Sequence, residues 1–338
     1  MSILLTHNTA LERLRSVPPQ VDKAKTVDES LPVADVSPLP YEITHLDCQA
    51  LGICPSHLHH LVSKDAFRSK SEHLKTHRTS LQEIPAGLVR EVVPGVYVAG
   101  PELCFIQMAG TVSPLGAVVL GHELCGSYSH FAKFASGFYE RPPLTSVEKI
   151  EKVIQQLKGM RGLSHAQKAL RWVRDGSASP METVVSCMLG LPTPMGGFGL
   201  VPPTLNYEVT LDEAAQRITG TKTARIDTAY ESAKCGLEYD GKEYHRDAVK
   251  DRQRREALSH EGWTIYVIDL DECLDWERLR DKVSLLDTIP RQRSAGEVDE
   301  KLSRDLLKRL LRATRFGVGM NGVLFGVPVP NGKVKVHL

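Results

Sequence analysis

The segment ARIDTAY-ESAK-CGLEYDG restricts the possible fold more than any other feature of the chain. Alternating apolar and polar residues on both sides of a short turn predict two antiparallel strands. If Glu231 pairs with Lys234 across the turn, the register is set for the whole hairpin. In that register Asp227 lies opposite Glu238, and Asp227, Glu238 and Asp240 share one face of the hairpin because side chains alternate.

Three carboxylates on one face repel each other unless a cation neutralises them. A hard divalent cation with oxygen ligands is suited to this, and the sequence predicts Mg²⁺. The alternative is a solvated polar face on an edge hairpin, without a metal. Spacing alone leaves both interpretations open.

The segments around the hairpin predict a mixed sheet. Ser179, Pro180 and Glu182 open a helix, in which serine is the cap and Glu182 can close a capping box. After the hairpin, residues 245–262 predict a charged helix and residues 263–270 a strand. A strand, a helix and a strand in succession imply a crossover connection, so the fold class is α/β (α+β) with helices flanking a mixed sheet.

These residues together resemble a known family. The motif consists of RID ending at Asp227, LEYDG ending at Gly241, His245 four residues later, and DxxRxxxLxxxGW over residues 251–263. It resembles the restriction-endonuclease-like (PD-(D/E)XK) fold, in particular bacterial domains related to the very-short-patch mismatch repair endonuclease. The resemblance covers roughly residues 176–285 and implies an endonuclease-like domain over 176–290. The implied activity is that of a metal-dependent DNA endonuclease or nickase.

The resemblance also implies a role for individual side chains. Asp227 is the metal-binding aspartate and Glu238 the second acid, with Mg²⁺ or Mn²⁺ as the cofactor. Asp240 stands where many relatives carry lysine, so His245 becomes the candidate general base. Glu182 resembles the acid that the first helix of this fold often supplies, although a capping-box role explains it equally well.

Bulk charge does not favour nucleic acid, since 42 basic and 41 acidic residues nearly cancel. DNA binding therefore needs a local basic patch. Candidate phosphate contacts surround the crossover helix: Arg246, Arg252, Arg254 and Arg255. A solvated helix face, with these arginines paired to nearby acids, is the alternative.

The rest of the chain carries less chemical information. Five of the 20 prolines fall in residues 17–40, and this composition predicts a flexible leader over 1–44. Residues 45–175 predict an α+β domain that resembles antitoxin domains of abortive-infection systems. Residues 291–338 predict a basic helix and a glycine-rich tail. Five histidines in the N-terminal part fit no compact zinc spacing and are interpreted as solvated or structural: His57, His59, His60, His73 and His77.

Several classes of protein are disfavoured. No apolar run reaches the length of a membrane span, no secretory signal is recognisable, and the seven cysteines lack a CxxC pair. We therefore expect a cytoplasmic protein, with DNA as partner and a homodimer or a toxin–antitoxin partner as further options. The alternative function is a catalytically inactive nucleic-acid-binding regulator or an abortive-infection component.

Overall fold

The computed structural model describes residues 2–38, 45–53, 58–66, 74–131, 137–241, 248–293 and 296–316. Within these ranges the fold is mixed α+β, with mixed sheets flanked by helices, and this confirms the predicted fold class. The chain divides into two compact units. Unit 1 contains the residues up to Leu124 and Tyr128–Val173, and unit 2 contains Cys125–Ser127 and Arg174–Thr314. No helix in the described ranges is long and apolar enough to cross a membrane.

Unit 1 combines a six-stranded sheet with helices. Its elements in chain order are β1 (Ile3–Leu5), α1 (His7–Ser16), β2 (Lys25–Thr26), β3 (Leu31–Pro32), β4 (Leu58–Ser63), β5 (Leu74–Thr79), β6 (Glu83–Ile84), β7 (Val89–Val93), β8 (Val96–Ala99), α2 (Pro101–Ala109), α3 (Pro114–Cys125), β9 (Tyr128–His130), β10 (Phe138–Glu140), α4 (Val147–Gln156) and α5 (Leu163–Leu170). The strand order of the large sheet is β2-β7-β8-β1-β4-β5, while β3 pairs with β6 and β9 with β10.

The prediction of a flexible leader over 1–44 is wrong for the residues that the structure describes. β1 lies inside the large sheet, parallel to β8 and antiparallel to β4. Ile3 and Leu5 are almost fully buried, and Leu11 of α1 packs in the same core. The proline-rich composition applies only to residues 17–40, whereas the apolar residues Ile3–Leu5 before them form a strand inside the sheet. Residues 39–44 lie outside the described part.

Two helices of unit 1 begin in different ways. The cap of α4 is Ser146, whose Oγ accepts the N–H of Lys149, and the hydroxyl of the preceding Thr145 donates to Glu102. α5 begins after Gly162. Gly162 has φ +101° and lies against the backbone of α2, a place that no side chain fits.

Unit 2 is built around a four-stranded sheet. Its main elements in chain order are α6 (Pro180–Gly190), β11 (Thr204–Thr210), α7 (Glu213–Thr219), β12 (Thr223–Tyr230), β13 (Cys235–Asp240), α8 (Ala248–His260), β14 (Thr264–Asp269), α9 (Leu270–Leu274), α10 (Trp276–Ser284) and α11 (Glu300–Phe316). The strand order is β11-β12-β13-β14, with the last pair parallel and the others antiparallel. The part of α11 up to Thr314 belongs to unit 2.

Helices cover unit 2's sheet with two apolar clusters. Ile226 and Ala229 of β12 join Ala257 and Leu258 of α8 in one cluster. Leu237 of β13, with residues of α6, α10 and α11, lines a small apolar gap. Apolar contacts therefore bury the sheet under helices that lie before, between and after its strands in the chain.

The predicted hairpin register is confirmed. Thr228 pairs with Leu237 and Tyr230 with Cys235, so Asp227 and Glu238 occupy the next opposed positions. The turn is a single 3₁₀ turn, Glu231–Ala233, and Lys234 closes it with φ +44°.

Substitution of Leu5 by alanine tests the place of β1 in the core. Leu5→Ala should lower the free energy of unfolding by about 2–5 kcal/mol, the usual cost of truncating a buried leucine. Val36→Ala is the control: this side chain is 65% exposed, and the change should stay within about 0.5 kcal/mol. Chemical denaturation of the full chain measures both, and equal small effects would contradict the burial of β1.

Candidate functional site

Glu182 is held at the start of α6 by hydrogen bonds to its carboxylate. The helix cap is Ser179, as predicted, and its Oγ accepts the N–H of Glu182 at 3.1 Å. The carboxylate oxygen Oε2 accepts the N–H of Ala178 at 2.8 Å and Nδ2 of Asn206 at 2.6 Å. In a capping box it would accept the N–H of Ser179, so the box is not formed in its usual pattern.

Asp227 lies on β12 close to Glu182. Its Oδ2 accepts the backbone N–H of Tyr239 on β13 at 3.0 Å. Burial raises the pKa of Asp227, and Arg254 opposes that rise. Burial also raises the pKa of Glu182, and the nearby Asp227 charge raises it further. Glu182 is buried and Asp227 is half-buried, and the two carboxyl groups interact directly through their charges.

Glu238 on β13 is the third carboxyl group of the site, and it is buried. Only 3% of the residue is exposed, and its Oε2 accepts a hydrogen bond from Nη2 of Arg254 at 3.0 Å. Its other oxygen, Oε1, has no hydrogen-bond partner among the described residues. Burial raises the pKa of Glu238 to about 7, with repulsion from Asp227 adding to the rise and the Arg254 cation opposing it.

Glu182, Asp227 and Glu238 form what we call the carboxylate cluster. They come from α6, β12 and β13, and their charges are only partly compensated. Asp240, which the sequence grouped with Asp227 and Glu238, lies at the end of β13 in parallel register with Asp269 of β14. The cluster thus contains Glu182, the residue for which the sequence left a structural and a catalytic role equally open.

The residues fit a magnesium ion in a limited way. No group of three or more His, Cys, Asp or Glu side chains in the described ranges has the geometry of a ready metal site. Magnesium commonly takes only one or two protein carboxylates and fills its other positions with water. Asp227 and Glu238 can supply those two, and the unpartnered Oε1 of Glu238 is an available acceptor.

The four arginines predicted to contact DNA have different positions. Arg254 points inward: besides Glu238, its Nη1 donates to the backbone oxygen of Arg225 at 3.1 Å. Arg252 is exposed, whereas Arg255 is half-buried and its charge acts on Glu238. Arg246 lies outside the described residues, and so does His245, the candidate general base.

Asn206 is the site residue that sequence reasoning missed. It bridges Glu182 and the backbone oxygen of Gly176, to which its Nδ2 donates at 2.8 Å. Its φ is +48°, a conformation that asparagine adopts more readily than most residues. The only sequence signal was a polar amide within the residues that form β11.

Comparison with protein-family models, curated proteins and solved structures finds no match to the chain.

The raised pKa of Glu238 predicts how stability changes with pH. In the unfolded chain this carboxyl has a pKa of about 4.3, so the folded state binds its proton more tightly. Stability therefore falls as the pH rises from about 4.3 to about 7. Glu238→Gln removes this titration, and its stability should fall less between pH 5 and pH 8, by up to about 3 kcal/mol.

The measurement is denaturant unfolding of wild type and Glu238→Gln at several pH values. Glu277→Gln is the matched control, because Glu277 lies on α10 of the same unit with a side chain that is 60% exposed. This variant should keep the wild-type pH dependence. Parallel curves for wild type and Glu238→Gln would show that Glu238 is not a desolvated acid.

Proposed function

We propose that unit 2 is a metal-dependent endonuclease or nickase that hydrolyses phosphodiester bonds of DNA. The observation that carries the proposal is the carboxylate cluster. Three acids from three elements lie together, with Glu182 and Glu238 buried and Asp227 half-buried, although the Asp227 charge raises the pKa of the other two. One oxygen of Glu238 has no partner among the described residues. Structural stability alone gives no reason to place three desolvated acids around one cation, since uncompensated charge away from water is costly.

Asp227 and Glu238 would hold Mg²⁺ or Mn²⁺. When bound, the ion neutralises charge on the scissile phosphate and lowers the pKa of a coordinated water. The hydrogen bonds from Ala178 and Asn206 hold the Glu182 carboxylate in position beside Asp227. Arg254 orients Glu238 and brings a positive charge to the place where a phosphate would bind.

The fold of unit 2 also supports the proposal. The resemblance to the restriction-endonuclease-like fold implies a mixed sheet flanked by helices, and unit 2 has this arrangement. Asp227 and Glu238 lie on the adjacent strands β12 and β13, next to the pair Thr228 and Leu237, which has the register predicted from the turn. The exposed Arg252 of α8, on the same helix as Arg254, is available for a phosphate contact.

A second candidate is a nucleic-acid-binding regulator without turnover. Two observations favour it: Asp240 stands where many members of the resembled family carry lysine, and Arg254 already neutralises part of the charge of Glu238. Such a protein would bind DNA, with or without metal, but would not cut it. The same assay separates the two functions.

Nicking of supercoiled plasmid with Mg²⁺ or Mn²⁺ is the first test. Asp227→Asn and Glu238→Gln should each lower the nicking rate by about 100-fold or more, because each removes a ligand charge while keeping the side-chain shape. EDTA should abolish nicking, and Glu277→Gln should cut like wild type. Equal trace activity in all variants, beside intact DNA binding, would reject the endonuclease and favour the regulator.

DNA affinity tests the role of α8. Arg252→Ala should weaken binding of all DNA sequences alike and reduce the slope of log affinity against log salt by about 1, as loss of one phosphate contact does. Arg280→Ala on α10 is the control, since Arg280 is similarly exposed but paired with Glu277. Fluorescence anisotropy at several salt concentrations measures both, and an unchanged slope for Arg252→Ala would remove α8 from the DNA interface.

A further inference from the structure

Unit 1 contains three histidines that converge from three adjacent elements. His7 opens α1, His59 lies on β4 and His77 on β5. The rings of His7 and His77 stack with centroids 3.4 Å apart, and Nδ1 of His59 lies 2.9 Å from Nε2 of His77. The parallel register of β4 and β5 places His59 and His77 on one face of the sheet. We call these three residues the histidine cluster.

The sequence interpretation of the histidines missed this cluster because His7 is distant in the chain. His60 is separate from it: the side chain alternates to the other face of β4, where Nε2 lies 3.2 Å from Oγ of Ser37. His57 and His73 lie outside the described residues. Only the pairing of β1 with β4 and of β4 with β5 brings the three members together.

His7 is held in a strained position. Its φ is +50°, in the left-handed region that non-glycine residues rarely adopt. The backbone N–H of His7 donates to Oε1 of Gln107 at 3.2 Å, and its Nδ1 lies 3.0 Å from Oγ1 of Thr6. Such strain persists where surrounding contacts impose it, and it is common at binding sites.

The charged surroundings of the cluster are positive. Arg161 and Lys75, both exposed, act on His7 and on His77. Burial is the largest cause of the lowered pKa values, about 2 for His7 and about 3 for His77, and repulsion from these cations and among the histidines adds to it. His7 is the first residue of α1, so the positive end of this helix dipole adds to the positive potential at the cluster. The cluster therefore favours an anion over a metal cation.

A buried donor beside His7 has no acceptor. Gln107 is 2% exposed, and its Oε1 is fixed by the N–H of His7. The amide oxygen of Gln107 faces the N–H of His7, so the Nε2 group of the same amide lies next to that hydrogen bond. Nε2 has no hydrogen-bond partner among the described residues. An oxygen of a bound anion would satisfy this donor.

We propose that the histidine cluster binds a phosphate-type oxyanion, which accepts hydrogen bonds from the imidazoles of His7 and His77 and from Nε2 of Gln107. Lys75 and Arg161 attract the anion from the surface, where the partly exposed His77 gives access. The site belongs to unit 1 and does not depend on the carboxylate cluster or on DNA cleavage. The phosphate can be free or part of a mononucleotide.

Calorimetric titration with inorganic phosphate tests the site in the full chain. Gln107→Glu keeps an oxygen for the N–H of His7 but replaces the donor by an acceptor, so phosphate binding should weaken by about 10-fold or more. His165→Gln, an exposed change on α5, should bind phosphate like wild type. A second titration with a nucleoside monophosphate shows whether the free or the esterified phosphate binds more tightly, and either result agrees with the proposal.

Lys75→Gln provides a test on the surface, where folding is not at risk. This variant should bind phosphate several-fold more weakly than wild type, and the imidazole resonances of His7 and His77 should move on phosphate addition in wild type. If wild type binds no phosphate, or if Gln107→Glu and Lys75→Gln both bind it unchanged, the proposal is rejected. Binding of Zn²⁺ that phosphate does not affect would also reject it.

Discussion

The pairing of β12 with β13 is the constraint on which unit 2 and its site depend. It sets Leu237 into the apolar cluster with α6 and α10 and places Glu238 beside Arg254. A slip of one residue would exchange the faces, so that Leu237 would lose its apolar contacts. The register that buries Leu237 in the core therefore also sets the position of Glu238 beside Arg254. A change of register would alter the core and the site together.

Buried charge gives the site its chemical character. Arg254 compensates only part of the charge of the carboxylate cluster, and burial makes Glu182, Asp227 and Glu238 hold protons more strongly. A proton, an arginine or a metal ion can each neutralise such a group, and the three compete. This competition makes one geometry compatible with either of the two functions proposed above: a nuclease that binds a metal ion, or a binding protein in which Arg254 takes the place of the metal.

Unit 1 shows how non-local pairing creates features that local patterns do not contain. Composition predicted a leader, yet the apolar residues Ile3–Leu5 form an interior strand because β4 and β8 flank them. The same strand leads into His7 and brings it to His59 and His77. The location of a strand within a sheet depends on partners far away in sequence, and composition over a window cannot reveal it.

The sequence by itself determined the hairpin, its register, the capped start of α6 and the mixed sheet, because alternation, turn length and capping are local properties. It also identified Asp227 and Glu238 as opposed acids. Only the tertiary structure decided that Arg254 faces Glu238, that Asn206 holds Glu182 beside Asp227, and that three histidines meet in unit 1. These contacts join elements far apart in the chain, and their geometry follows from packing and desolvation, which no short segment encodes.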